Sequence, residues 1–138
     1  MIPEVKYPCK LSIAKNILND LIEENKRDGK ENFIIDIDKQ AVGAIGLTKI
    51  IKGHKAEIWS WLGEKYRRKE IITKAHKLIS DYAFKKYKLK RIYGNLLTKN
   101  IGSAKMLEKS GFKKEALLKK NAKINGKFYD EFIYAKLK

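Results

Sequence analysis

The stretch that decides the fold is "AEIWSWLGEKYRRKEIITKAHKLISDYAFKKYKLKRIYGNLL", Ala56–Leu97. Its first seven residues, "AEIWSWL", carry bulky side chains on both faces, the mark of a strand at the centre of a sheet. Ile71, Ala75, Leu78, Ile79, Tyr82 and Ala83 then share one face of a helix, with Lys74, Lys77, Asp81 and Lys85 opposite. "RIYGNLL", Arg91–Leu97, is the next strand. Because a helix separates the two, the simplest arrangement is a parallel pair joined by a right-handed crossover.

The flanking sequence supplies further elements. "NFIIDID" and "AVGAIGLTKII" read as a hairpin turning around Asp38 to Gln40. "FKKEALLKK" and "KFYDEFIYAKL" read as a second hairpin around Asn125 and Gly126, an Asn-Gly turn signal. Leu11, Ile13, Ala14, Ile17, Leu18, Leu21 and Ile22 form a helical stripe over Leu11–Lys26, bounded by Pro8 and Gly29. Asn100 opens a short helix with Ile101, Ala104 and Leu107 inward, and Gly111 stands where a left-handed residue ends a helix. The order is helix, three strands, helix, strand, helix, two strands, an α/β fold with a mixed sheet.

The 138 residues suffice for one domain, 1–138, with one hydrophobic core. An apolar content of 43% and a charged content of 35% place the chain among globular proteins rather than disordered ones. Lys and Arg number 32 against 16 Asp and Glu, a formal charge of +16. Such a surface attracts nucleic acid, ribosomes, anionic lipids or acidic small molecules, or it is simply a lysine-rich solvated face. Cys9 is the sole cysteine, so an intrachain disulfide and a Cys-based metal site are excluded, and His54 and His76 lack ligand spacing. No apolar run reaches the ~18 residues of a membrane span, and the start "MIPEVKYPCK" lacks the apolar segment of a signal peptide. A cytoplasmic location without a membrane partner is expected.

Three places carry candidate chemistry. Glu57 shares a strand face with Trp59 and Trp61. Desolvated by the indoles it would be a general base for an amine; reaching water or a lysine, it would be an ordinary ion-paired glutamate. "NIGS", Asn100–Ser103, offers a helix cap with a hydroxyl one turn later. Arg67, Arg68 and Lys69 precede a helix whose first residues, Ile71, Ile72 and Thr73, have N–H groups free for an anion. Glycine normally lets a backbone approach a pyrophosphate, and Glu70 and Ile72 supply none. No GxxxxGK or GxGxxG occurs, so P-loop and dinucleotide-binding readings have no support.

Taken in order, "AEIWSWLGEKYRRK", "DYAFKKYKLKRIYGNL", "NIGSAKMLEKSGFKKE" and "NGKFYDEFIYAKL" resemble the GCN5-related N-acetyltransferase (GNAT) superfamily. The similarity is strongest to its ribosomal-protein alanine and spermidine acetyltransferase-like branch, runs from about residue 32 to the C-terminus, and extends more weakly to "KYPCKLSIAKNILNDLI". It implies a mostly antiparallel sheet with one parallel pair splayed around a cofactor groove and flanked by helices. It also implies an acetyl-CoA-dependent transferase acting on a primary amine, such as a protein N-terminus or ribosome-associated amine.

By this resemblance Trp61 and Leu62 flank the acetyl-CoA, and the pyrophosphate lies at Arg67, Arg68, Lys69 and the amides of Ile71, Ile72 and Thr73. Asn100 matches the residue that meets the pantetheine arm, Glu57 matches the base, acting directly or through water, and Ser103 matches a hydroxyl that protonates the thiolate; the tyrosine many relatives use is Leu107 here, which leaves Ser103 or water for that step. The family's turn has small residues where Glu70 and Ile72 stand, and its usual Gly-Tyr is Trp59 and Ser60. The strand with which most relatives begin is missing, which points to a homodimer covering an exposed sheet edge. The alternative function is a catalytically impaired relative that binds RNA or a protein through its basic surface.

Overall fold

The computed structural model describes residues 19, 20, 23, 25, 27–67 and 69–138. Of the helix expected over Leu11–Lys26, Asn19, Asp20 and Glu23 are helical and Asn25 lies in a turn. The rest of that helix, Cys9 and Arg68 lie outside the described residues.

The elements are β1 (Glu31–Ile37), β2 (Gln40–Ile51), β3 (Lys55–Leu62), a 3-10 turn (Glu64–Tyr66), α1 (Ile71–Lys86), β4 (Arg91–Leu97), α2 (Ile101–Lys109), β5 (Lys113–Ile124) and β6 (Lys127–Leu137). The strands form one six-stranded sheet in the order β1-β2-β3-β4-β6-β5. Every neighbouring pair is antiparallel except β3 and β4, which run parallel as the intervening helix requires.

Local chemistry sets the turns. Asp38 and Lys39 both take positive φ (50° and 62°), as do Asn125 and Gly126 (49° and 78°). Two such residues in succession match the right-handed twist of the strands they join. β5 continues to Ile124, past the end expected at Lys120, because a bulge absorbs an irregularity between Leu118 and Ala122. There Lys120 has φ 52° and its N–H donates to Asp130 Oδ1 at 2.8 Å. At the β1 edge, the Asn25 side chain takes the place of a neighbouring strand: its Nδ2 donates to Asn32 O (2.9 Å) and its Oδ1 accepts from Asn32 N (2.6 Å).

The core gathers Ile45 and Leu47 of β2, Ala56 and Ile58 of β3, Ile92 and Leu96 of β4, and Tyr134 of β6 with Ile79, Ala83 and Phe84 of α1 and Leu107 of α2. Burial of this cluster, at about 25 cal/mol per Å² of apolar surface removed from water, is what holds the helices to the sheet. Two apolar residues expected to face inward do not. Leu78 is 70% exposed and Ile101 64% exposed. On α1 the buried arc runs instead through Thr73, His76, Ile79, Ser80, Ala83 and Phe84, so three polar residues hold core positions. Ser80 is tolerated there because its Oγ donates back to His76 O at 2.6 Å.

The ends of α1 and α2 are fixed. Glu31 on β1 accepts from Tyr82 OH (2.7 Å), Lys86 Nζ (2.8 Å) and Tyr87 OH, tying the end of α1 to the outer strand. α2 starts with Asn100 Oδ1 accepting from Ser103 N at 3.1 Å. It stops with Gly111 N bonded to Glu108 O and Phe112 N to Leu107 O, both at 3.0 Å, while Gly111 has φ 92°.

Candidate active site

β3 and β4 pair only at Lys55↔Arg91, Ala56↔Ile92 and Glu57↔Tyr93. One residue further, a Cβ on Gly94 would stand 3.2 Å from Ile58 O, so the backbones are still close there. Beyond that point they share no rung. A groove of about 900 Å³ lies between the end of β3, the turn into α1 and the exposed side of α2.

The groove collects most of the site residues expected from sequence. Trp61 and Leu62 line it from β3, Arg67 and Lys69 from the turn, Ile71, Ile72 and Thr73 from the first turn of α1, and Asn100 and Ser103 from the start of α2. Arg68 falls outside the described residues. Glu57 is not among the lining residues. Its carboxylate pairs with Lys49 Nζ at 2.7 Å, and this hydrogen bond pushes the Lys49 ammonium pKa up. Of the two arrangements open on sequence, the ion-paired one is present.

The N-terminus of α1 explains how a turn without glycine keeps its shape. Glu70, its N-cap, has φ 59° and ψ 6°, the left-handed conformation that glycine adopts most cheaply. The first helical bond runs from Lys74 N to Glu70 O at 3.0 Å, so Ile71, Ile72 and Thr73 have N–H groups with no acceptor inside the helix. Glu70 makes no side-chain cap to them. Its carboxylate instead accepts from Lys109 Nζ at 2.9 Å, and Lys109 holds the carboxyl below its usual range. The positive end of the α1 dipole thus faces the groove with no side-chain cap from Glu70, and Arg67, Lys69, Lys105 and Lys109 stand among the residues lining that groove.

Sequence reasoning missed several groove residues: Ser60, Tyr66, Ile101, Gly102, Lys105, Met106 and Lys109. Ile101 is exposed because it borders this opening. Ser60 is tied to a second residue that periodicity did not select, with its Oγ 2.8 Å from His76 Nε2. His76 is 2% exposed and meets Phe112 edge-on at a ring distance of 6.0 Å. Burial, with Lys136 adding to it, lowers the His76 pKa to about 4.

The family model of the acetyltransferase (GNAT) domain matches residues 3–113. The probable N-acetyltransferase YjcK of Bacillus subtilis is 40% identical over 100 residues, which cover 71% of this chain and 55% of that protein. The chain therefore spans little more than half the length of this relative. Among solved structures, the ribosomal-protein-S5-alanine acetyltransferase of Vibrio fischeri matches with a TM-score of 0.78 at 29% identity, over 91% of this chain and 71% of that one. The microcin C7 self-immunity acetyltransferase MccE, solved with acetyl-CoA and AMP, matches with a TM-score of 0.79 at 26% identity, over 96% and 74%. On the match to residues 3–113 the chain belongs to the GNAT acetyltransferases, a family that takes its acetyl group from acetyl-CoA.

Proposed function

We propose that this chain is an acetyl-CoA-dependent N-acetyltransferase that passes the acetyl group directly to a primary amine. The observation that carries the proposal is the uncapped N-terminus of α1 opening onto the same groove as Asn100 and Ser103. Free amides, a helix dipole and flanking cations suit a pyrophosphate, and the groove has the volume for a large ligand.

In this reading the N–H groups of Ile71, Ile72 and Thr73 bind the pyrophosphate, with Arg67 and Lys69 adding charge. Arg68 joins them on the sequence argument alone. Trp61 and Leu62 flank the cofactor where β3 leaves β4, and Asn100 meets the pantetheine arm. The amine nitrogen attacks the thioester carbon, the C–S bond breaks, and the departing sulfur takes a proton from Ser103, whose hydroxyl recovers one from solvent. Glu57 takes the proton that the amine loses, directly or through water, which requires its carboxylate to exchange Lys49 for the acceptor.

A charge of +16 favours an acidic or ribosome-associated acceptor over a polycation by long-range attraction. The ribosomal-protein-S5 alanine named for the Vibrio fischeri protein is of that kind.

Calorimetric titration of CoA and acetyl-CoA into the wild-type chain and Glu70→Gly tests the reading. Binding of both ligands by both proteins is expected, tighter in the variant. Absence of binding by either protein at millimolar cofactor overturns it and leaves the fold as a basic binding module.

A further inference from the structure

We propose that Ser60 is a hydrogen-bond donor to the acyl carbonyl oxygen of the bound thioester, oriented for that role by the buried ring of His76. The inference rests on the acetyl-CoA reading above and assigns two residues outside it. Ser60 stands on β3 three residues past its last rung to β4, and it is one of the residues that line the groove. His76 stands on α1, one turn beyond the free amides, and reaches the same hydroxyl from inside the core.

The tautomer of His76 decides what Ser60 can do. Burial keeps the ring neutral at physiological pH, so it carries a single N–H. Its Nδ1 is buried and has no hydrogen-bond partner among the described residues. A proton on Nδ1 would leave a buried donor without an acceptor beside the Phe112 ring, an arrangement rarely found in folded proteins. A proton on Nε2 leaves only a bare lone pair at Nδ1 and donates to Ser60 Oγ. The second form is favoured. Ser60 Oγ is then an acceptor toward His76, and its own hydrogen is free for the groove.

A hydroxyl that receives one hydrogen bond donates a stronger one, because each bond polarises the next. The electron-rich atom that gains negative charge during attack on a thioester is the carbonyl oxygen, and a fixed donor aimed there lowers the barrier. The same tautomer argues against a covalent acetyl-serine. A nucleophilic serine needs a base with a free lone pair facing it and a third group to orient that base, and here Nε2 carries the hydrogen and Nδ1 has no orienting partner.

The test uses CoA and acetyl-CoA as paired probes on wild type, Ser60→Ala, Ser60→Thr, His76→Gln and His76→Phe. Calorimetry gives the two affinities, and infrared spectra of acetyl-CoA carrying ¹³C at the carbonyl report the hydrogen bond directly. Ser60→Ala is expected to weaken acetyl-CoA roughly fivefold, the worth of one neutral hydrogen bond, while leaving CoA unchanged. It should also return the carbonyl stretch to its unbonded frequency. Ser60→Thr and His76→Gln, whose amide can donate from the place of Nε2, should keep the bonded frequency, and His76→Phe should lose part of the shift.

Equal effects of Ser60→Ala on both ligands, or a carbonyl stretch that the substitution does not move, overturn the inference while the acetyl-CoA reading stands. An acetyl adduct found on Ser60 of the wild type by mass spectrometry also overturns it, in favour of a covalent route. A wild type that binds neither ligand overturns both readings together.

Discussion

The Glu70 carboxylate and the Lys109 ammonium meet at 2.9 Å, joining the N-cap of α1 to the last turn of α2 along the groove. A carboxylate at a helix N-terminus is ordinarily attracted to the free amides and would compete with an incoming anion. Here it is drawn to a lysine, and the amides stay open.

Replacing Glu70 with glycine removes the nearest negative charge and relieves a left-handed backbone in one step. CoA affinity should rise roughly three- to tenfold by the loss of repulsion across a solvated groove. The melting temperature should change little, because relief of the backbone offsets loss of an exposed ion pair. Calorimetry and thermal melts check the two halves separately.

Lys109→Ala should weaken CoA several-fold, since it sets the Glu70 charge free beside the α1 amides. In a Glu70→Gly background the same change should matter much less. The non-additivity of the double-mutant cycle is the readout, and independent effects would show that the pair does not govern anion binding.

The buried His76 makes stability depend on pH. The unfolded chain takes up a proton there near pH 6.5, whereas the folded chain resists until about pH 4. Its contribution is therefore complete above pH 6.5 and is lost as pH falls toward 4, about 3 kcal/mol over the window. Urea unfolding of wild type and His76→Gln across this range should show a slope in the first that the second lacks.

Glu57 and Ser103 should separate kinetically. With a peptide amine as acceptor, Glu57→Gln should lower turnover on the order of a hundredfold or more while acetyl-CoA affinity holds, as loss of a general base does. Ser103→Ala should lower turnover less, because water can protonate the thiolate. Unchanged turnover in Glu57→Gln would remove it as the base.

Gly43→Ala probes the strand that backs the groove. A Cβ there would stand 2.4 Å from Trp61 O and 3.1 Å from Leu62 Cα, so β2 and β3 would have to separate. A loss of about 1–3 kcal/mol is expected in chemical denaturation, as for other overpacked sites.

Much of this was readable from residue patterns because it depends on local chemistry. The Asn125–Gly126 turn, the central place of β3 in the sheet and the glycine stop after α2 each follow from a few neighbouring residues. The groove residues Asn100 and Ser103 were legible for the same reason. What stayed hidden depends on three dimensions. Nothing in sequence brings Lys49 to Glu57 or Lys109 to Glu70, because each pair is set by how separate elements dock. Leu78 and Ile101 fit an inward stripe by period, yet the sheet and the groove decide which arc is covered. For His76 the one signal in the sequence is its place three residues before Ile79, which puts it on the buried face of α1.

The three-rung ladder between β3 and β4 has a consequence for the architecture as a whole. Its premature end gives the protein two facing sheet margins in its interior, each still hydrogen-bonded to its other neighbour, β2 on one side and β6 on the other. Such a seam can be stitched by any guest that carries amide groups in sequence, as a peptide does and as the pantetheine arm does, because peptide groups rather than side chains supply the stitches. That grip depends on backbone groups and not on the side chains beside it, so it does not rest on which residue, Glu70 included, stands at the turn into α1.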